Sequence, residues 1–387
     1  MNRFKLKIGE ERIVLNEGLQ PFLFKTRQGR LVVTAQMPVP PGTVFPGVWA
    51  TMISDDQGSS WKPWAQVNIE GGSPFHEGCV TQLKDGTIFL LQWSARGPES
   101  GGNWIAKFWE SRDNWQTVQG PFEARMFLPL AKGGFDDEGH PVPEIFLHRS
   151  MIEMPNGDLL LTAYGWFRGD DTPSTYRPSM KKFRTILLRS TDRGRNWSLV
   201  STVAVDPAVG EEGFNEPALV RLSKGKHAGR LIALLRTGSN KTFKHNPIHQ
   251  TESDDDGRTW SKPHPLAWGN VDPDLIELED ETLVASFGNR TFESRVHLNA
   301  LPPKELGPGH GNYLAFSHDQ GETWEPPIQI TKEPSSCYTT VREVAPGKLL
   351  LVYDIGDAWQ HVWKGWENIQ RGIGCRRIDV KTIGVPS

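Results

Sequence analysis

Polar residues suited to acid–base chemistry or anion binding recur at matched places along the 387-residue chain. Each heads a short apolar run: Gln20, His76 with Glu77, His148 with Arg149, Asn215 with Glu216, Asp272 with Asp274, and Tyr338. A second set closes the run that follows: Arg96, Tyr164, Arg168, Arg236, Arg290 and Asp354. Imidazole and carboxylate groups move protons near neutral pH, and guanidinium groups bind carboxylates through paired hydrogen bonds. Gathered in one place, these groups would serve general acid–base chemistry on an anionic ligand. Each also has a plainer reading. His76 and His148 could bond loop carbonyls, Glu216 and Arg236 could pair with each other, and Tyr338 could be a packed tyrosine. Asp272 and Asp274 flank a proline and could cap a turn. Arg149 and Arg290 suit a salt bridge as well as a ligand. No metal is expected, because His-Glu-Gly at His76 lacks the HExxH spacing. No cofactor is expected either, since no glycine-rich loop is built to cradle phosphate.

What would gather these residues is a repeat. Ser54–Trp61 reads SDDQGSSW, Ser190–Trp197 STDRGRNW, Ser253–Trp260 SDDDGRTW and Ser317–Trp324 SHDQGETW. All fit S-x-D-x-G-x-x-W, and a worn copy, SRDNWQT, begins at Ser111. The Asp carboxylate can bond nearby backbone N–H groups, Gly can take positive φ, and Trp can pack beneath the turn. The octet is therefore a folding device, and its Asp residues carry no catalytic assignment.

Between the octets lie six segments of apolar run, Gly-type or acidic turn, and second apolar run, starting at Gln20, His76, His148, Asn215, Asp272 and Tyr338. Each predicts a β-hairpin. A spacing of roughly 55–75 residues predicts an all-β, six-bladed β-propeller of four-stranded antiparallel blades, one domain over residues 1–387. Phe183–Ser190 and Gly311–Ser317 supply further strands. ERIVL near residue 11 is expected to pair with Gly372–Val380 and remove a free edge. Pro121–Pro143 and Gly165–Lys181 are too long for hairpin turns and are expected to cover one face.

Composition narrows the classes. Hydrophobic residues are 37% and charged ones 23%, enough for a packed core and too apolar for a disordered chain. A net charge of −3 argues against nucleic acid or an anionic membrane surface as partner. Three cysteines imply no disulfide framework. No apolar run is long enough to span a membrane, and the N-terminus has no signal-like apolar region. A cytoplasmic location is expected.

The octet resembles the Asp-box, and with the hairpin repeats the chain resembles the sialidase (neuraminidase) superfamily of BNR-repeat propellers. Phe214–Pro217 followed by LLRTG resembles the segment carrying an activating glutamate and a carboxylate-binding arginine. That resemblance implies Glu216 as partner of the nucleophile and Arg236 as a substrate ligand. CYTTV followed by LLLVYD resembles the segment carrying the nucleophilic tyrosine, which implies Tyr338. The family's first arginine would fall in Leu19-Gln20-Pro21 and its third near His310-Gly311-Asn312, where this chain has none. Its acid/base aspartate would fall in Pro38–Gly47, which holds no acid.

The resemblance implies an exo-acting glycoside hydrolase on a terminal acidic sugar or acidic oligosaccharide. Tyr338, Glu216, His76 and His148 would be catalytic and Arg236, Arg149, Arg290, Gln20 and Asp274 would bind substrate, with His76 or Asp274 standing in for the acid. Two alternatives remain open. One is a polysaccharide lyase that eliminates across a uronate with His76, His148 and Tyr338. The other is a propeller that binds glycans without turnover.

Overall fold

The computed structural model describes residues 4–36, 49–64, 79–98, 101–136, 139–175, 177–238, 247–267, 269, 271–290, 309–356 and 372–382. Among these residues there is no helix, so the chain is all-β. Its contacts divide it into two compact units. The first holds Met1–Trp64, Leu222–Ala228 and Ala267–Ser387, and the second Ala65–Arg221 and Gly229–Leu266.

The first unit opens with β1 (Phe4–Ile8), β2 (Arg12–Leu15), β3 (Leu19–Lys25), β4 (Leu31–Gln36), β5 (Trp49–Ser54) and β6 (Lys62–Pro63). The second unit begins with β7 (Val80–Gln82), β8 (Ile88–Leu91), β9 (Ser94–Arg96), β10 (Gly102–Ser111), β11 (Gln119–Leu128), β12 (Ala131–Phe135) and β13 (Pro141–Val142). It continues with β14 (Glu144–Glu153), β15 (Leu159–Phe167), β16 (Arg184–Ser190), β17 (Asn196–Ala204), β18 (Asn215–Arg221), β19 (Leu231–Arg236), β20 (Ile248–Ser253) and β21 (His264–Ala267). The chain then returns to the first unit through β22 (Val271–Glu277), β23 (Leu283–Asn289), β24 (Gly311–Ser317) and β25 (Ile328–Gln329). It ends with β26 (Thr339–Ala345), β27 (Lys348–Ile355) and β28 (Gly372–Thr382).

All six expected hairpins form: β3–β4, β7–β8, β14–β15, β18–β19, β22–β23 and β26–β27. Three sheets hold four strands in chain order: β3 to β6, β18 to β21 and β22 to β25. The sheet β26-β27-β28-β1 gains a fifth strand, because β2 also pairs with β28. As expected, ERIVL closes this sheet, with Arg12 opposite Cys375 and Leu15 opposite Ile373. β1 extends the closure from Ile8 opposite Ile378 to Phe4 opposite Thr382.

The remaining sheet departs from four separate strands per blade. Its eleven strands include the runs β7-β8-β10-β11 and β14-β15-β16-β17. Parallel pairing of β7 with β14 and of β11 with β17 joins these runs into a closed ring of eight strands. Pro121–Pro143 is also not a covering loop. Its residues fall largely in β11, β12 and β13, and β12 pairs with β15.

The apolar runs are continuous because each sheet is covered on both faces. Side chains alternate along a strand. On β27, Leu349 and Leu351 therefore join a core with Val284, Phe316 and Ile378, while Leu350 and Val352 join one with Leu23, Val33 and Cys375. In the second unit, Leu159 and Leu161 of β15 pack with Phe108 and Trp197, and Leu160 packs with Leu219 and Leu235. Truncating one such leucine to alanine costs about 2–5 kcal/mol.

The octets fold as the sequence predicts. Ser190 Oγ donates to Asp192 Oδ1 at 2.9 Å and accepts from Gly194 N at 2.8 Å, and Asn196 N donates to Asp192 Oδ1 at 2.8 Å. Trp197 Nε1 caps Gly194 O at 2.8 Å. The worn copy keeps this network from Ser111 and Asp113, but Trp115 stands in the glycine's place with φ 61° and is fully buried.

Candidate active site

Four of the repeat-heading segments share one backbone device. Gln20, Arg149, Glu216 and Asp272 adopt left-handed φ values of 49°, 46°, 39° and 37°. Strand pairing shifts at each, between Leu19 and Phe22, Leu147 and Met151, Asn215 and Ala218, and Val271 and Asp274. A bulge of this kind re-aims side chains that would otherwise alternate strictly between sheet faces. Cys337, just ahead of β26, is also left-handed, at 66°.

In the second unit, β18 and β19 bring Glu216 and Arg236 together. Arg236 Nη1 donates to Glu216 Oε1, and Arg236 Nη2 lies 3.9 Å from Glu212 Oε2. Glu212 Oε2 also accepts from Asn215 Nδ2 at 2.7 Å. All four side chains are buried. Glu216 is 7% exposed, yet its Oε2 has no hydrogen-bond partner among the described residues, and neither does Asn215 Oδ1. Glu212 is held in place by a close approach of the chain. A Cβ on Gly238 (φ +102°) would lie 2.9 Å from Glu212 Cγ, so a side chain there would be strained and crowded.

His148 sits on β14, which packs against β18. Its Nδ1 donates to Pro217 O at 3.2 Å, and its ring meets Tyr164 edge-on at 5.9 Å. That bond leaves Nε2 as the basic nitrogen of the neutral ring. Arg149 is buried beside it and partnered within the fold.

In the first unit, Ser336 is the connecting residue. Arg290 Nε and Nη2 donate to Ser336 O at 2.9 and 2.6 Å, and Ser336 Oγ donates to Asp354 Oδ2 at 2.5 Å. The Arg290 guanidinium lies 5.2 Å from the Tyr338 ring centroid, within cation–π range. Burial pushes the Asp354 carboxyl up to about 7, against the opposing pull of the Ser336 bond and the Arg290 charge. The Gln20 backbone also faces that carboxyl.

His310 Nε2 lies 3.5 Å from Cys337 Sγ. Burial, with the Arg290 charge, drives His310 down to about 4, and burial pushes the Cys337 thiol up to about 12. Both groups are therefore uncharged at neutral pH, and the pair lacks the thiolate a cysteine nucleophile needs. β23 reaches this cluster because residue 288 is glycine: a Cβ there would fall 1.9 Å from Cys337 O.

The residues singled out from sequence thus fall into separate neighbourhoods. Glu216 and Arg236 meet directly, with His148 and Arg149 on the adjoining β14. Arg290 and Tyr338 meet in the first unit, where Gln20 is buried. Asp274 is tied to β26, its Oδ2 accepting from Thr340 Oγ1 at 2.6 Å, Val341 N at 3.1 Å and Arg342 Nη1 at 2.6 Å. His76 lies outside the described residues. Glu212, Ser336 and Cys337 are additional members, and none stands at a position that the polar repeat marks.

A BNR repeat-like domain matches residues 142–351. No curated protein matches the sequence. Solved structures share the fold over nearly the whole chain. A Dyadobacter fermentans protein of unknown function has a TM-score of 0.68 at 18% identity, covering 97% of this chain and 99% of its own. The α-L-arabinanase of Penicillium chrysogenum, complexed with arabinobiose, reaches 0.65 at 15%, covering 96% and 98%. A Hadza microbial sialidase reaches 0.61 at 13%, covering 93% of this chain and 65% of its own. With the Asp-box turns in place and more than half of its length matched to that domain, this chain belongs to the BNR repeat-like family.

Proposed function

We propose that the chain is a glycoside hydrolase that releases a terminal sugar from a glycan, built as a single six-bladed propeller over residues 1–387. Glu216 carries the reading. One of its oxygens is held by Arg236, and the other is buried without a partner among the described residues. A carboxylate fixed in this way can accept a proton or stabilise the positive charge that develops on a sugar ring in an oxocarbenium-like transition state. His148, with Nε2 as its basic nitrogen, is a second proton acceptor, and Tyr338 remains the candidate nucleophile. Support comes from the shared fold, since two of the similar structures bear the names of an arabinanase and a sialidase.

The test is release of the aglycone from 4-nitrophenyl and 4-methylumbelliferyl glycosides, neutral and acidic. Turnover is expected, with kcat lowered at least a hundredfold in Glu216→Gln while circular dichroism is unchanged. Full activity in that variant, or no release across the panel, overturns the proposal. An unsaturated product absorbing in the ultraviolet would point to β-elimination instead. Tyr338→Phe tests the phenol separately, and unimpaired turnover would remove it as nucleophile.

A further inference from the structure

The three arginines assigned to an acidic sugar, Arg236, Arg290 and Arg149, are already engaged inside the protein. Arg236 contacts Glu216 and lies near Glu212, so the trio carries one positive and two negative groups. Arg290 is spent on the Ser336 carbonyl and the face of Tyr338, and Arg149 is partnered. Where the resemblance places a further arginine, His310 stands uncharged at neutral pH. A sugar carboxylate arriving beside Glu216 would add a third negative charge to a buried trio whose cation, among the described residues, is Arg236. Burying like charges together is strongly unfavourable.

Two acceptors of the same cluster receive no hydrogen bond from the described residues. Glu216 Oε2 and Asn215 Oδ1, on consecutive residues at the left-handed entry to β18, are buried and unpartnered among the described residues. The Asn215 amide is oriented by its Nδ2 bond to Glu212, which leaves the buried Oδ1 as its second polar atom and an acceptor. Buried acceptors are normally satisfied, so such a pair marks a place where a ligand brings the hydrogens. Hydroxyl groups bring them, and a carboxylate does not. Resting on the glycosidase reading, we infer that the sugar meeting Glu216 and Asn215 is uncharged and donates hydroxyl hydrogens to Glu216 Oε2 and Asn215 Oδ1.

Calorimetric titration at pH 7 tests this without requiring turnover. The neutral probes are arabinobiose, xylobiose and lactose, and the acidic ones are 3′-sialyllactose and glucuronic acid. At least one neutral probe is expected to bind tenfold or more tighter than either acidic one. An acidic probe that binds as tightly as the best neutral one overturns the inference, and so does the absence of binding by every neutral probe. Asn215→Ala is expected to weaken the neutral probe about tenfold, and Glu216→Gln to narrow the gap to the acidic probes by a similar factor. Unchanged binding in both variants, with wild-type circular dichroism, overturns it as well. Neutral binding without turnover would sink the hydrolase reading and leave this one standing. Turnover of acidic glycosides alone would do the reverse.

Discussion

The Ser336 hydroxyl donates to Asp354 Oδ2 at 2.5 Å, while the Ser336 carbonyl accepts two N–H bonds from Arg290. One small residue thus links a fully buried acid to a buried cation stacked on Tyr338. Losing or gaining the Asp354 proton therefore alters the field around the whole group. His310 feels the same guanidinium, since the Arg290 charge helps to hold it neutral.

These two groups give opposite pH dependences. Asp354 is raised from 3.8 to about 7, so its contribution is intact below pH 4 and is lost as pH climbs toward 7. His310 is lowered from 6.5 to about 4, so its contribution is intact above pH 6.5 and is lost as pH falls toward 4. In the wild type the two slopes offset each other. In Asp354→Asn stability should rise between pH 4 and 6.5, and in His310→Asn it should fall between pH 4 and 7. Urea unfolding at four pH values across this range reads both slopes. Parallel curves for the three proteins would refute the assignment.

Arg236→Ala removes the counter-charge from Glu216 and Glu212, both buried. Breaking a buried pair by deleting one partner costs about 3–5 kcal/mol, because the other charge stays behind. Adding Glu216→Gln to Arg236→Ala should recover at least about 1 kcal/mol of that loss, as a buried amide is less costly than an unpaired carboxylate. Chemical denaturation at pH 7 measures both. A cost below about 1 kcal/mol for Arg236→Ala would show that the guanidinium does not hold the carboxylates.

The fold was legible wherever the sequence repeats a physical requirement. The Ser-Asp-Gly-Trp turn and the doubly covered apolar strands such as Leu349–Val352 each recur, so their geometry can be read without coordinates. The pair of Glu216 and Arg236 was visible as well, because they face each other across one hairpin. Glu212 was not, since it lies outside the repeat and meets Arg236 through the path of the chain past Gly238. Ser336 and Cys337 were hidden for a different reason. Aligning polar side chains sets Tyr338 level with Asn215 and His148, whereas the left-handed backbone groups Cys337 with Glu216 and Arg149. A positive φ held by Gln, Arg, Glu, Asp and Cys leaves no common residue type to recognise.

Trp115 offers a test of two competing terms at one residue. It occupies the octet's glycine position at φ 61°, and its indole is fully buried. Trp115→Gly would relieve backbone strain of roughly 1 kcal/mol and forfeit burial of about 3–5 kcal/mol. Burial should win, leaving a net loss of about 2–4 kcal/mol by urea denaturation. A neutral or stabilising result would mean that the turn, rather than the indole, is the valuable part of the worn copy.

The intact octets predict a distinct behaviour in acid. The Thr259 backbone N–H, then the Thr259 and Ser253 hydroxyls, hold Asp255 down at about 2, and Asp56, Asp192 and Asp319 of the other intact octets are lowered as well, as is Asp113 of the worn copy. A depressed carboxyl contributes stability that is present above its unfolded value of 3.8 and lost as pH falls through the folded one. Asp255→Asn should therefore be less stable than wild type at pH 7, and the two should converge between pH 4 and pH 2. Thermal melts across that interval would show it. A gap that stays constant to pH 2 would mean that the carboxylate's charge is irrelevant to the turn and that its shape alone matters.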